Sequence, residues 1–232
     1  MKTRLALLLA GLLLAAGFAG LGQWQLRRGI EKQVMLQDVA AVLARRQAQP
    51  LSAAARPRGY DWSLGSGRFL DGPVLLLDNQ RRGPSVGVRV LAAFQPTDGA
   101  PLLVDLGWLA LPGDRRLPEI SVPAGPQSVS GLLSPPPSTG LALGPAYTKS
   151  APERWLLTRV DLAALSAGLR LPLSPRVLRL DPALPIGYAR DLDVLPNTLP
   201  PERHRGYAVQ WFGLALVTLL ISLYFGIFRR RP

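Results

Sequence analysis

The sequence predicts a membrane protein of the α+β class. Two transmembrane helices are expected to flank an extramembrane domain of mainly antiparallel, barrel-like β-sheet with one or two helices of its own. Three observations carry this. Trp211 to Phe228 contains no charged residue, and neither does Leu5 to Gly22. The stretch between them holds short apolar runs punctuated by glycine, proline and aspartate, the pattern of strands and turns rather than of long helices.

Each uncharged run is about eighteen residues long, enough at ~1.5 Å per residue to span roughly 27 Å of hydrocarbon. Thr218 and Ser222 do not spoil the second run, because each hydroxyl can bond back to a carbonyl one turn earlier. Arg229, Arg230 and Arg231 cap that end with charge. The first run follows Lys2 and Arg4 and ends near Trp24. A cleaved signal peptide and a retained span both fit its basic front. Its length and an interfacial tryptophan directly after it favour retention. No cysteine follows, which excludes a lipoprotein anchor. Basic residues flank both runs on both sides, so charge alone does not orient the chain. A strand-rich loop behind an export-like start favours a translocated middle with both termini cytoplasmic.

Four regions follow: a first membrane helix (1–24), a juxtamembrane amphipathic helix (25–50), an exported β-rich domain (51–202) and a second membrane helix with a basic end (203–232). From Arg28 to about Gln47, apolar Ile30, Val34, Val39, Val42 and Leu43 recur near helical spacing. This segment either continues the first helix or lies on the surface. Pro50 to Arg58 reads as a small-residue linker. Strands are expected at Tyr60–Phe69, Val74–Asp78, Val86–Phe94, Leu102–Leu109, Gln127–Leu133, Arg154–Arg159 and Arg176–Leu180. Asp71-Gly72-Pro73 and Asp98-Gly99-Ala100-Pro101 have the composition of hairpin connections. Pro135 to Pro137 form a rigid loop, and Asp161 to Leu169 reads as a short helix capped by Asp161.

The net charge is +12; Lys2, Arg4 and Arg229 to Arg231 account for five of these, leaving +7. The remaining cations are scattered without an aromatic-interleaved patch, so membrane lipid rather than nucleic acid is the expected polyanion. Zero cysteines remove disulfides, thiolate nucleophiles and cysteine metal sites together. A single histidine excludes metal centres of two or three imidazoles within one chain. There is no phosphate-binding glycine loop, no dinucleotide fingerprint and no nucleophile elbow. Asp191 and Asp193 would share a strand face as a carboxylate pair, but two solvated loop acids are the simpler reading. No enzyme is read from these residues.

The membrane edge holds the remaining candidates. His204, Tyr207, Ala208 and Trp211 fall on one helical face, and so do Trp24, Gln25 and Arg28. Both sets lie at the helix ends that adjoin the middle domain. For the tryptophans an interfacial belt is a sufficient account. A neutral imidazole at His204 is also suited to axial ligation of haem iron, with Arg28, Arg203 or Arg205 placed for propionates.

These stretches resemble a known family. Gly22-x-Trp24-Gln25-Leu26-x-Arg28 followed by Lys32 is similar to the opening motif of the Surfeit locus protein 1 family, the assembly factors of cytochrome c oxidase. Leu77-Asp78-Asn79-Gln80 with Gly83 and Gly87, Leu102 to Leu109, and Pro201-Glu202-Arg203-His204-x-Gly206-Tyr207-Ala208-Val209-Gln210-Trp211-Phe212 resemble further stretches in the family's order. Two departures stand out. Leu106 occupies the place of the arginine usual before Gly107-Trp108, and Gly29 to Glu31 lacks an aromatic. The resemblance implies a multi-pass protein of the bacterial inner membrane with a periplasmic middle domain. It implies a role in maturing oxidase subunit I through haem A insertion, with subunit I and haem A synthase as partners. It implicates His204 in haem binding, with Tyr207 and Trp211 as its neighbours; Trp24, Gln25 and Arg28 on the other helix complete the candidate haem site, with His204 as the candidate iron ligand. The alternative expectation is a purely protein-binding scaffold that stabilises an oxidase intermediate without contacting haem.

Overall fold

The computed structural model describes residues 2–113, 117, 119–137, 143–195 and 198–228. The Arg229–Arg231 cap lies outside them. The chain divides into two compact units: residues up to Gln37 together with those from Thr198 onward, and Asp38–Asn197.

The first unit is a helix pair. The uncharged run from Leu5 to Gly22 belongs to helix α1 (Lys2–Arg45), which continues without a break through the segment expected to be amphipathic. Its partner is α3 (Pro201–Leu223), followed by a π-helical turn at Tyr224–Phe228. Pro201 and Glu202 open α3 well: the proline has no amide proton to strand, and the carboxylate faces the positive end of the helix dipole. Both helices are long and apolar enough to cross a membrane. They run antiparallel, since Gly11 lies against Ser222 while Gly29 lies against Pro201 and His204. The seam on α1 is made by Ala15, Gly22 and Gly29, a small buried residue at every seventh position. A Cβ on Gly22 would stand 2.8 Å from the Phe212 ring, so absence of a side chain is what lets the backbones approach. Phe18 stacks on Trp211 with ring centroids 5.6 Å apart. Ser222 Oγ donates to the Thr218 carbonyl at 2.6 Å, the back-bond expected of it.

The second unit is one nine-stranded sheet. Its strands are β1 (Ala48–Pro50), β2 (Asp61–Phe69), β3 (Val74–Arg82), β4 (Ser85–Pro96), β5 (Leu102–Ala110), β6 (Pro126–Ser134), β7 (Tyr147–Ala151), β8 (Arg154–Leu157) and β9 (Val177–Leu180). Their order is β1-β2-β6-β9-β5-β4-β3-β8-β7, with a further short pairing of β2 and β4. The expectation of a mainly antiparallel, barrel-like sheet is corrected: the sheet is mixed. β1 with β2, β3 with β8, and β5 with β9 pair in parallel. Strand direction here is set by long connections that local residue patterns do not encode.

Two apolar clusters cover the two faces. Along β3, β4 and β5 successive residues alternate between them. Leu76, Val90, Phe94, Val104 and Leu106 enter one cluster, while Leu75, Leu77, Leu91 and Leu103 enter the other. A strand buried on both faces reads as a continuous apolar run, which is how Leu75-Leu76-Leu77 and Leu102-Leu103-Val104 appear in the sequence. Helix α2 (Leu162–Leu169) closes the second cluster with fully buried Leu165. Asp161 caps α2 by accepting from Ala164 N at 3.1 Å, as its composition predicts.

Two local expectations are also corrected. Pro50 to Arg58 is not a linker, because Leu51–Ala55 forms a 3₁₀ turn that buries Leu51 and Ala54 in the first cluster. Asp71-Gly72-Pro73 turns the chain from β2 into β3, but these strands pair with other neighbours instead. The connection at Asp98–Pro101 does join a paired hairpin, β4 with β5.

Candidate functional site

The helix pair positions the candidate residues. His204 lies one turn into α3, 6 % exposed. Opposite it, Gln25 of α1 brings Oε1 to 2.7 Å from His204 Nδ1. An amide oxygen only accepts, so Nδ1 is the donor of this bond. Nε2 is buried and has no hydrogen-bond partner among the described residues. The backbone of α1 makes room for the ring: a Cβ on Gly29 would stand 3.4 Å from both the His204 Cβ and the Pro201 carbonyl. Lys32 Nζ donates to the Leu199 carbonyl just before α3, and Arg205 donates to Gln33. These polar ties fix the level of the two helices around the histidine.

The other sequence candidates are spread around this contact. Trp211 is turned to Phe18, two turns of helix from His204. Tyr207 and Trp24 are exposed on the outside of the pair, at 40 % and 47 %. Arg28 is paired with Glu31 at 2.7 Å on an exposed face. Of the six, only His204 and Gln25 meet directly. Asp191 and Asp193 lie in an irregular segment, where each accepts from a backbone amide two residues on, which is the loop-acid reading. Phe18, Gly29 and Lys32 belong to the neighbourhood. Their signal in the sequence is a heptad offset, Phe18, Gln25 and Lys32 each lying three residues after Ala15, Gly22 and Gly29.

Chemically, the arrangement presents one imidazole nitrogen without a hydrogen-bond partner among the described residues, on a ring held through its other nitrogen. That is the donor a single-ligand iron site requires.

The sequence model of the SURF1 family matches residues 12–216. The chain belongs to the SURF1 family. No curated protein matches it. The matched span of this SURF1-family chain contains Gln25, His204 and every strand of the sheet.

Proposed function

We propose that this SURF1-family chain is a membrane-anchored assembly factor for cytochrome c oxidase that assists haem A insertion into subunit I. One observation carries the reading: the buried Nε2 of His204, without a partner, on a ring whose other nitrogen is bound to Gln25. Haem A is the cargo here. When present it supplies an iron that takes the Nε2 lone pair, with Gln25 keeping the ring in the ligating tautomer. Arg28, once released from Glu31, is placed for a propionate, and Trp24 and Tyr207 form the aromatic rim at the membrane surface. A lone histidine suits transfer, because one ligand releases what two would retain. Full burial of Nε2 also means that a macrocycle reaches it only when the helices part locally or the ring rotates. Loading is thereby coupled to opening of the small-residue seam. In this reading the β-rich unit lies on the outer side of a bacterial inner membrane, both termini are cytoplasmic, and haem A synthase is the supplier.

The test is to purify the chain from cells that make haem A and record visible spectra for wild type and His204→Ala. Loss of the haem band in the variant is expected; an undiminished band removes the histidine from the mechanism. A second reading, a scaffold for an oxidase intermediate that never touches haem, is favoured by Trp211 being engaged with Phe18 and Arg28 with Glu31. Co-purification of subunit I that persists in cells unable to make haem A would select it.

A further inference from the structure

A cavity of about 390 Å³ in the β-rich unit has no part in the function proposed above. Four arginines (Arg81, Arg82, Arg89 and Arg190) line it against two aspartates, Asp191 and Asp193. Of its lining residues, Arg89 belongs to a row of charges across three strands. Register places Asp105 of β5 opposite Arg179 of β9, and Arg89 of β4 reaches the same carboxylate from the other side at 2.6 Å. Asp105 also accepts from Gly107 N at 3.0 Å, so each of its oxygens already bonds a group other than Arg179.

Arg179 is therefore short of partners. It is 8 % exposed, and its Nε and Nη2 are buried with no hydrogen bond among the described residues. Nε is 3.8 Å from Asp105 Oδ2, and Nη2 is 4.0 Å from Asp191 Oδ1. Burial pulls the Arg179 pKa down, Asp105 opposes that, Arg89 pulls down again, and Asp191 and Asp193 oppose in turn, with a net lowering. A desolvated guanidinium with two unbonded edges is costly unless an anion meets it. Of the groups that line the cavity, Asp191 comes nearest to doing so. Its half-exposed carboxylate lies 4.0 Å from Arg179 and 3.8 Å from Arg82 Nε, within hydrogen-bonding distance of neither. Arg190 contributes charge but commits four of its five N–H donors to the carbonyls of Asp181, Leu184, Ile186 and Tyr188, and so fixes the segment that carries Asp191.

We propose that this cavity is a binding site for a phosphate group, and that the Asp191 carboxylate occupies the position the phosphate takes between Arg82 and Arg179. A tetrahedral dianion offers enough oxygens to bond two guanidinium groups at once, which one carboxylate held off at 4 Å does not. The volume admits a phosphate with an organic substituent. Trp108, whose Nε1 donates to the Gln80 carbonyl at 2.9 Å, supplies a fixed apolar wall for it. The phosphate belongs either to a soluble phosphoester or to a phospholipid headgroup.

The experiment uses the full chain in detergent at low salt, comparing wild type, Asp191→Asn and Arg82→Gln. Both positions are partly exposed, so the fold is expected to survive, and equal thermal midpoints verify this. Calorimetric titration with inorganic phosphate should show saturable binding, roughly fivefold tighter in Asp191→Asn and roughly fivefold weaker in Arg82→Gln, the scale of one partly exposed charge. A parallel arm measures retention of phosphatidylglycerol by native mass spectrometry. The same variant order there, without response to inorganic phosphate, supports the site and assigns it to a lipid headgroup. Absence of binding in both arms, or equal affinity in all three proteins, overturns the proposal.

Discussion

The two ring nitrogens of His204 stand in different surroundings. Nδ1 is committed to Gln25, whereas Nε2 is committed to nothing among the described residues. Gln25→Leu keeps the side-chain volume close to constant while removing the acceptor that fixes the tautomer. In the haem-handling reading it lowers haem occupancy roughly tenfold, the usual cost of losing the group that orients a metal-binding imidazole, while His204→Ala abolishes it. Spectral titration of both variants reads this directly, and equal occupancy in wild type and Gln25→Leu contradicts it. Tyr60 of the second unit offers a pH test. Burial, and Asp38 beside it, raise its pKa above the ordinary phenol value. A raised folded-state value means the neutral phenol stabilises the fold fully below about pH 10, and this contribution is lost as pH rises through the folded value. Tyr60→Phe should therefore flatten the alkaline limb of the stability–pH curve, measured as denaturation midpoints from pH 8 upward, and leave neutral pH nearly unchanged.

Elements obey the same logic of space. The α1–α3 seam depends on side chains that are absent, and Gly22 tests it against a rigid neighbour, with the Phe212 ring 2.8 Å from where a Cβ would stand. Gly22→Leu is expected to cost about 1–3 kcal/mol of overpacking and to lower the unfolding midpoint in detergent, whereas Gly213→Leu, at a position with no neighbour near its Cβ, should not. On α2, Asp161→Ala removes the acceptor for Ala164 N and should cost about 1 kcal/mol by chemical denaturation. That cap was legible because an aspartate before a run of helix formers has a local meaning. So were β2, β4 and β5, whose apolar residues announce burial wherever the strand is placed. β1 and β7 were not legible. Ala48-Gln49-Pro50 and Tyr147 to Ala151 carry neither alternation nor an apolar run, and they are strands because a neighbour pairs with them. Leu51 was unreadable for a related reason: its burial comes from the surface it covers at Gly65, not from its own neighbours in sequence.

At the scale of the whole molecule, what local patterns miss is strand direction. Val177 to Leu180 lies parallel to β5 and antiparallel to β6, a choice fixed by long connections rather than by four apolar residues. The same limit hid the charged row, since Arg89 and Asp105 are 16 residues apart, Arg179 lies far beyond both, and the three meet only through register. Gln25 and His204 were visible as faces of two helices, but their hydrogen bond required knowing that the helices are antiparallel neighbours. The division into units has a consequence for independent folding. Both apolar clusters draw all their buried residues from Asp38–Asn197, and the charged row is paired within the same span. Residues 38–197 expressed alone should thus fold, with ordered near-ultraviolet circular dichroism and a single cooperative thermal transition. Within that fragment Leu165→Ala should cost about 2–5 kcal/mol by opening a cavity beneath α2. A fragment that instead binds hydrophobic dye and melts without cooperativity would show that the sheet takes its specific packing from the membrane helices.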